Sequence, residues 1–336
     1  MDPLSQAVVG VTFSVSFCRK KNYVRPAVIA AIVGGMLPDA DILIRSAADP
    51  LLSVEYHRHF THSLAFIPFG GLIATLLCWP VLRKQLSFLR LYLFATLGFA
   101  THGVLDAMTN YGTHLLWPFT NYRESWSIIS IVDPVFTLTL LALCGLAYRL
   151  QARRYTIFAA VFALLYWSFG YLQRERATDA MMTLAESRGH VVERSEVKPS
   201  FGNLIVWRAQ YEYAGQYYMD AVRVMPFADT KWYYGASLPA FDMKRDLPQL
   251  PMGSMQHNDI ARFVFFSDGW LAWADAEKTV LGDVRFSTLP QQTRPLWGIK
   301  LSPDAPESHV GFVHFPRQMD GAFATLWQMI SGHDIQ

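Results

Sequence analysis

The chain has 336 residues, of which 52% are apolar and only 17% charged, against roughly 25% charged in an ordinary soluble domain. Residues 1–172 carry 13 Lys or Arg and 8 Asp or Glu, whereas residues 173–336 carry 16 and 19. This excludes a single soluble domain and a disordered chain, and neither half is basic enough for a nucleic-acid footprint.

The apolar first half reads as a polytopic α-helical membrane domain over 1–172. Segments 27–44, 63–82, 91–108, 128–148 and 156–172 are long and apolar enough, or nearly so, for a hydrocarbon core that takes about 20 helical residues to cross. Residues 5–17 are a sixth span or a re-entrant piece, which gives five to six helices. The start of the chain is not read as a cleaved leader, because Asp2 precedes the apolar run and Arg19, Lys20, Lys21 and Arg25 follow it. Cys18, Cys78 and Cys144 all lie in this half without CxxC spacing, so they read as small buried hydrophobes.

Three loops orient the bundle. Arg19, Lys20, Lys21 and Arg25 form one, Arg83, Lys84 and Arg90 the second, and Arg149, Arg153 and Arg154 the third. If six segments cross, all three fall on one side, which the positive-inside rule makes cytoplasmic. Residues 173–336 are then extracytoplasmic. They begin with a helical stretch at 173–189. Short aromatic and β-branched runs follow at 203–211, 216–224, 231–234, 263–266, 280–286 and 311–315, and a closing helix at 321–330. The expectation is a soluble α+β, mostly antiparallel β domain over 173–336.

Ionisable groups at membrane depth are costly, and they gather here in short clusters. Leu37-Pro38-Asp39-Ala40-Asp41 ends the second segment. His57-Arg58-His59-Phe60-Thr61-His62-Ser63 precedes the third, His102 and Asp106 end the fourth, and Asp133-Pro134 stands near the outer end of the fifth. The sidedness set by Lys and Arg brings all four to one face. Imidazole and carboxylate are ligands for zinc and similar divalent ions. Asp39, Asp41, His57, His62, His102 and Asp106 are therefore candidate metal ligands, enough for one or two ions, with zinc the first expectation. Arg58 suits a phosphate oxygen. Asp133 reads either as a general base or as an N-cap before Pro134. His59 and His114 read as solvent-facing and structural, and His190, His257, His309, His314 and His333 as non-ligands.

These residues resemble a known family. Met1-Asp2-Pro3-Leu4, the Leu-Pro-Asp-Ala-Asp element, His57-Arg58 with Thr61-His62-Ser63, His102 with Leu105-Asp106, Tyr111-Gly112-Thr113 and Pro118-Phe119 are similar to the YdjM-like family of bacterial inner-membrane proteins, described as metal-dependent hydrolases. The resemblance covers roughly residues 1–150. It implies a helical membrane domain with a hydrolase site carried by the same six residues. A more distant likeness is to the helical zinc-dependent phospholipase C and nuclease group, which cleaves phosphoesters. One departure stands out: the family has Thr-His shortly after the opening Asp-Pro-Leu, and this chain has Ser5-Gln6.

The expectation is a bacterial inner-membrane, metal-dependent hydrolase. It would act on a phosphoester or related ester of a lipid-linked or phospholipid-like substrate, with the lipid bilayer as partner and no nucleic acid. The alternative is a membrane-anchored envelope-binding module in which the metal is structural. A transporter is disfavoured, because the clusters lie at one face, not at the midplane.

Overall fold

The computed structural model describes every residue except 303, 318 and 336. The chain divides into two compact units. The first is Met1–Leu43, Tyr56–Leu172 and Phe201–Leu204; the second is Ile44–Glu55, Gln173–Ser200 and Ile205–Gln336.

The first unit is helical. It holds α1 (Pro3–Val15), α2 (Val24–Met36), α4 (Ile67–Leu82), α5 (Phe88–Ala107), α6 (Pro134–Leu150) and the start of α7 (Arg154–Ser187), while the short α3 (Leu52–Tyr56) belongs mostly to the second unit. Four stretches are long and apolar enough to cross a membrane: Lys21–Leu43, Leu64–Leu82, Phe88–Ala107 and Arg154–Ser187. The apolar helices α1 and α6 have 13 and 17 residues, so they run only about 20 and 26 Å at 1.5 Å per residue. The five to six expected segments thus correspond, among the described residues, to four candidate spans and two shorter apolar helices. Local signals set the ends. Asp2 caps α1 by accepting from the Ser5 N–H at 3.0 Å, and Pro3 occupies its first turn. Asp133 and Pro134 open α6 in the same way, with Phe136 N–H donating to Asp133 at 3.1 Å.

Small residues let these helices approach closely. A methyl group at Gly34 would fall 2.2 Å from the Ala95 carbonyl oxygen, and one at Gly98 would fall 2.5 Å from the Ala31 carbonyl oxygen. In a membrane, where burial gives no hydrophobic gain between helices, such backbone proximity is how spans pack. It locks α2 against α5.

Helix α7 runs for 34 residues. The expected span at 156–172 and the expected polar helix at 173–189 are one element, since no proline intervenes between 135 and 198.

The second unit is built from antiparallel strands. Strands β1 (Arg194–Pro199), β2 (Val206–Tyr213), β3 (Gln216–Arg223) and β4 (Lys231–Tyr233) lie in that order, and β5 (Ser237–Pro239) pairs with the other end of β3. A second sheet runs β6 (Leu271–Trp273), β7 (Val280–Asp283), β8 (Trp297–Lys300) and β9 (Gly311–His314). Helices α8 (Met243–Asp246), α9 (Met255–Phe266) and α10 (Ala322–Ser331) complete it. The run at 263–266, expected to be a strand, is instead the last turn of α9. Ser254 caps that helix, and its buried positions Gln256, Asp259, Ile260, Phe263 and Phe266 recur at helical spacing.

Residues 44–55 fold with the second unit and not with the helices on either side. Leu51 is fully buried in a cluster with Leu247, Ile260, Phe263, Leu281 and Ile299. Arg262 pairs with Asp49 at 2.9 Å, Glu55 at 2.6 Å and Asp259 at 3.0 Å.

Between β1, β2 and the chain after β7 lies a buried charged layer. Lys198 pairs with Glu196 at 3.1 Å, Arg285 pairs with Asp283 at 2.8 Å, and Arg208 donates to the carbonyls of Val284, Pro290 and Gln292. Burial pushes the Lys198 ammonium from an ordinary 10.5 down to about 8, while Glu196 opposes that shift. Between pH 8 and 10.5 the unfolded chain therefore holds a proton that the folded one has released, and stability rises with pH across this window. Below pH 8 the cost of burying the charge is fully present. Lys198→Met should abolish that rise. The check is the thermal midpoint of the detergent-solubilised full chain between pH 7 and 10.5, which should climb for wild type relative to the variant.

Candidate metal centre

Three elements bring six side chains together. After α2, Pro38 withholds a backbone N–H, and Leu37–Leu43 winds as a 3-10 helix that carries Asp39 and Asp41. Residues 57–62 form a tight loop ending in the 3-10 turn Phe60–His62. His102 and Asp106 lie one turn apart near the end of α5 and share a face. The close crossing of α2 and α5 sets the first and third elements side by side. The loop reaches them because Gly103 has no side chain: a methyl there would sit 2.0 Å from the His62 carbonyl oxygen.

At the middle, His62 Nε2 and His102 Nε2 face each other at 2.9 Å. His102 Nδ1 lies 2.6 Å from the Gly35 carbonyl oxygen. A carbonyl only accepts, so the His102 proton is on Nδ1 and its Nε2 presents a lone pair. His62 Nδ1 lies 3.2 Å from Asp41 Oδ2 and 3.0 Å from Thr61 Oγ1, both of which can accept from it. Two lone pairs then point at one spot, and two carboxylates border it. Asp39 Oδ1 is 3.5 Å from His62 Nε2 and 3.3 Å from His102 Nε2. Asp106 Oδ2 is 3.4 Å from His62 Nε2 and 3.9 Å from His102 Nε2. Asp106 Oδ2 is buried and makes no well-formed hydrogen bond, and the Arg58 guanidinium is its ion-pair partner. Burial alone would lower the His62 imidazole, but Asp106, Asp39 and Asp41 reverse this and push it up to about 10. The surroundings call for positive charge, which a proton or a metal ion can supply.

The donor set fits a divalent ion. Asp39, His62, His102 and Asp106 can each offer one atom within 4.8 Å of the others, and Asp39, Asp41 and His57 form a second such group sharing Asp39. A histidine ligand that donates its other ring N–H to a carboxylate or a carbonyl is the usual arrangement around a bound ion.

Asp41 has a distinct position. It receives the Arg58 backbone N–H at 3.0 Å and the Thr61 hydroxyl at 2.9 Å, with His57 Nδ1 at 2.9 Å and His62 Nδ1 behind it. It organises the loop and aims His62. Arg58 is buried at a positive φ of 64°. Its Nε lies 3.0 Å from Asp106 Oδ2 and its Nη1 donates to Thr109 Oγ1 at 3.0 Å. Tyr111 lies under its guanidinium at 5.0 Å.

Asp133 is not brought to this cluster. One oxygen caps α6 and the other accepts from the Tyr166 hydroxyl at 2.8 Å, so the structure gives it the N-cap position of the two the sequence allowed. His59 and His114 pack against each other with tilted rings 4.6 Å apart, and Trp117 lies beside His59 at 5.6 Å. His309, read as a non-ligand, lies 2.8 Å from Asp259, and the two form a third group with Asp49; the Arg262 guanidinium already supplies the cation there.

Several residues escaped sequence reasoning as parts of the site. Gln6 is fully buried and its amide donates to Asp106 Oδ1 at 2.8 Å. The Met1 amino group pairs with the same oxygen. Thr109, Gly35 and Gly103 contribute through a hydroxyl, a carbonyl and an absence of bulk. Only Gln6 carried a signal, as the departure from the family's Thr-His.

A family model, YdjM inner membrane protein, matches residues 1–177. The chain belongs to the YdjM inner membrane protein family. The match spans the helical unit with its His/Asp cluster, and nearly all of the β-rich unit lies beyond it. The chain is also similar to the inner membrane protein YbcI of Escherichia coli strain K12, at 34% identity over 108 residues, which is 30% of this chain and 60% of that relative. The chain thus spans less than two thirds of the YbcI length. No solved structure matches it.

Gly103→Ala should force the His62 backbone away from α5. Overpacking of this kind costs about 1–3 kcal/mol, so the thermal midpoint in detergent should fall by several degrees. Gly145→Ala is the control: no atom lies within 4 Å of its added methyl, and a helical glycine-to-alanine change should be neutral or stabilising.

Proposed function

We propose that the chain is a membrane-bound, metal-dependent hydrolase of a phosphoester or related ester in a lipid-like substrate. The observation that carries this is the pair of imidazole Nε2 atoms facing each other at 2.9 Å beside two carboxylates. Zinc is the first expectation, because two imidazoles with carboxylates are a common zinc ligand set. The chemistry that a divalent ion contributes in such a place is Lewis-acid activation of a water and of an ester oxygen.

The chain's own residues divide the remaining work. His62, His102, Asp39 and Asp106 would hold the ion, and the second group, Asp39, Asp41 and His57, would allow a second ion sharing Asp39. Gly35 and Asp41 fix the two imidazoles in the tautomer that points Nε2 inward. Asp39 is 28% exposed while its three companions are fully buried, so a reactant would enter over Asp39. Arg58 keeps N–H groups beyond those facing Asp106 and Thr109, and they suit a phosphoryl oxygen. No general base is assigned to Asp133, whose two oxygens are engaged elsewhere. The site lies at the end of the spans away from the three basic loops, so the positive-inside rule would put it, and the β-rich unit, outside the cytoplasm.

One observation favours the non-catalytic alternative: Arg58 already pairs with Asp106. The two readings part on Arg58→Gln. The hydrolase reading expects metal retained and turnover lost by at least tenfold; a structural ion would leave nothing to lose.

The first test is metal content of the detergent-purified full chain by mass spectrometry. Wild type should carry at least one divalent ion per chain. His62→Ala and His102→Ala should carry less than a tenth of that while staying monodisperse. Wild type that stays metal-free after repletion with zinc, manganese and iron would overturn the metal-dependent reading.

A further inference from the structure

At the opposite end of the helical unit, a cavity of about 530 Å³ is lined by five cations from two loops: Arg19, Lys20 and Lys21 after α1, and Arg153 and Arg154 between α6 and α7. All five side chains are exposed. None makes an ion pair among the described residues; Lys20 lies over the Tyr23 ring and Arg154 over the Tyr155 ring. The sequence supplies no local counter-charge, with no Asp or Glu between Asp2 and Asp39 or between Asp133 and Glu175. Helix α2 opens at Val24 and α7 at Arg154, and both residues line the cavity. Tyr23, which precedes α2, offers no side-chain cap, so the positive end of that helix adds to the field.

Basic loops alone would be expected from membrane orientation. The loop with Arg83, Lys84 and Arg90 has the same sign and plays no part in this cavity. What distinguishes the 19–21 and 153–154 loops is that together they border an open concavity of headgroup size with uncompensated cations on its walls. Its lining includes the buried Cys18 and Val24 and the apolar Leu150, 44% exposed, and Phe17, next to Cys18 in the chain, is 65% exposed. Exposed apolar side chains beside a basic cavity at the end of membrane-spanning helices match the headgroup–acyl boundary of a lipid, not a freely diffusing anion. Arginine forks suit phosphate oxygens.

We propose that this cavity binds the phosphate of an anionic phospholipid headgroup. The site is separate from the His/Asp cluster and does not depend on what that cluster does.

The test uses the full chain in detergent and native mass spectrometry, with phosphatidylglycerol, phosphatidylcholine and inorganic phosphate as probes. Wild type should retain phosphatidylglycerol at least tenfold better than phosphatidylcholine, and millimolar phosphate should not displace it. Arg19→Gln/Arg153→Gln should lose at least tenfold of that affinity, while Arg83→Gln/Lys84→Gln, an equal change of charge, should stay within twofold. Equal retention of the two lipids would overturn the proposal, and so would equal losses in the two double variants, which would mean a diffuse surface field. Full displacement by phosphate would make a soluble anion the occupant and overturn the lipid assignment. Both cavity arginines are exposed and unpaired, so folding should survive. Arg153→Gln alone, with at least a threefold loss, serves the same purpose should the double variant aggregate.

Discussion

Two imidazoles turned face to face at 2.9 Å repel each other unless a proton or a cation lies between them. His102 cannot relieve the repulsion by changing tautomer, because its Nδ1 proton is committed to the Gly35 carbonyl at 2.6 Å. His62 is held by Asp41. With Asp39 and Asp106 alongside, the fixed cations among the described residues are Arg58 and the Met1 amine, and both face Asp106. Burying such an arrangement is tolerable only with added positive charge, which a proton on His62 or a metal ion can supply. The rest of the helical unit can be understood as the means of holding those atoms in place.

The means are mostly backbone. Ligand-bearing ends can meet only if α2 and α5 touch, and they touch because Gly34 and Gly98 present no side chains at the crossing. The 57–62 loop then has to thread against α5, which Gly103 permits. Asp41 finishes the arrangement by taking four groups of that loop onto one carboxylate. Arg58 accepts a left-handed backbone conformation in the process, a cost of the kind that persists where surrounding contacts over-determine it. A site assembled from helix ends and one tight loop keeps its polar atoms away from the middle of the apolar helices, where their desolvation cost would be highest.

Much of this was legible beforehand. His102 and Asp106 at i, i+4, and the Asp39/Asp41 and His57/His62 pairs, were visible as ionisable residues in apolar surroundings. The basic loops alone assigned them a common side. What could not be read was the division of labour. Asp39 and Asp41 look equivalent in sequence, yet one borders the facing imidazoles and the other stands behind His62, a difference set by the path of a loop with no periodicity. Asp133-Pro134 is equally good as a cap and as a reactive carboxylate until Tyr166, 33 residues away, takes its second oxygen. In the β-rich unit the Phe263–Phe266 run is apolar enough for a strand, and only the earlier positions Gln256 and Asp259, polar but buried, complete a helical stripe. Leu51 gave no signal because the short, mixed stretch 44–55 has no apolar period to detect.

Gln6 stands where the family resemblance implies a histidine, and its contacts show what a glutamine does at that place. Its amide donates to Asp106 Oδ1, the oxygen already paired with the Met1 amine. That leaves Asp106 Oδ2 alone turned toward the two histidines. A histidine at position 6 would place a third imidazole beside the cluster, able to act as a ligand in its own right. A glutamine there, with its amide donating, restricts Asp106 to a single coordinating oxygen instead. In the proposed centre the exchange therefore converts a potential ligand into an orienting group, and it shifts the weight of ion binding onto His62, His102 and Asp39. Of these, only Asp39 is open to the outside, so the side chain that would bind the ion is also the one past which a substrate would have to move.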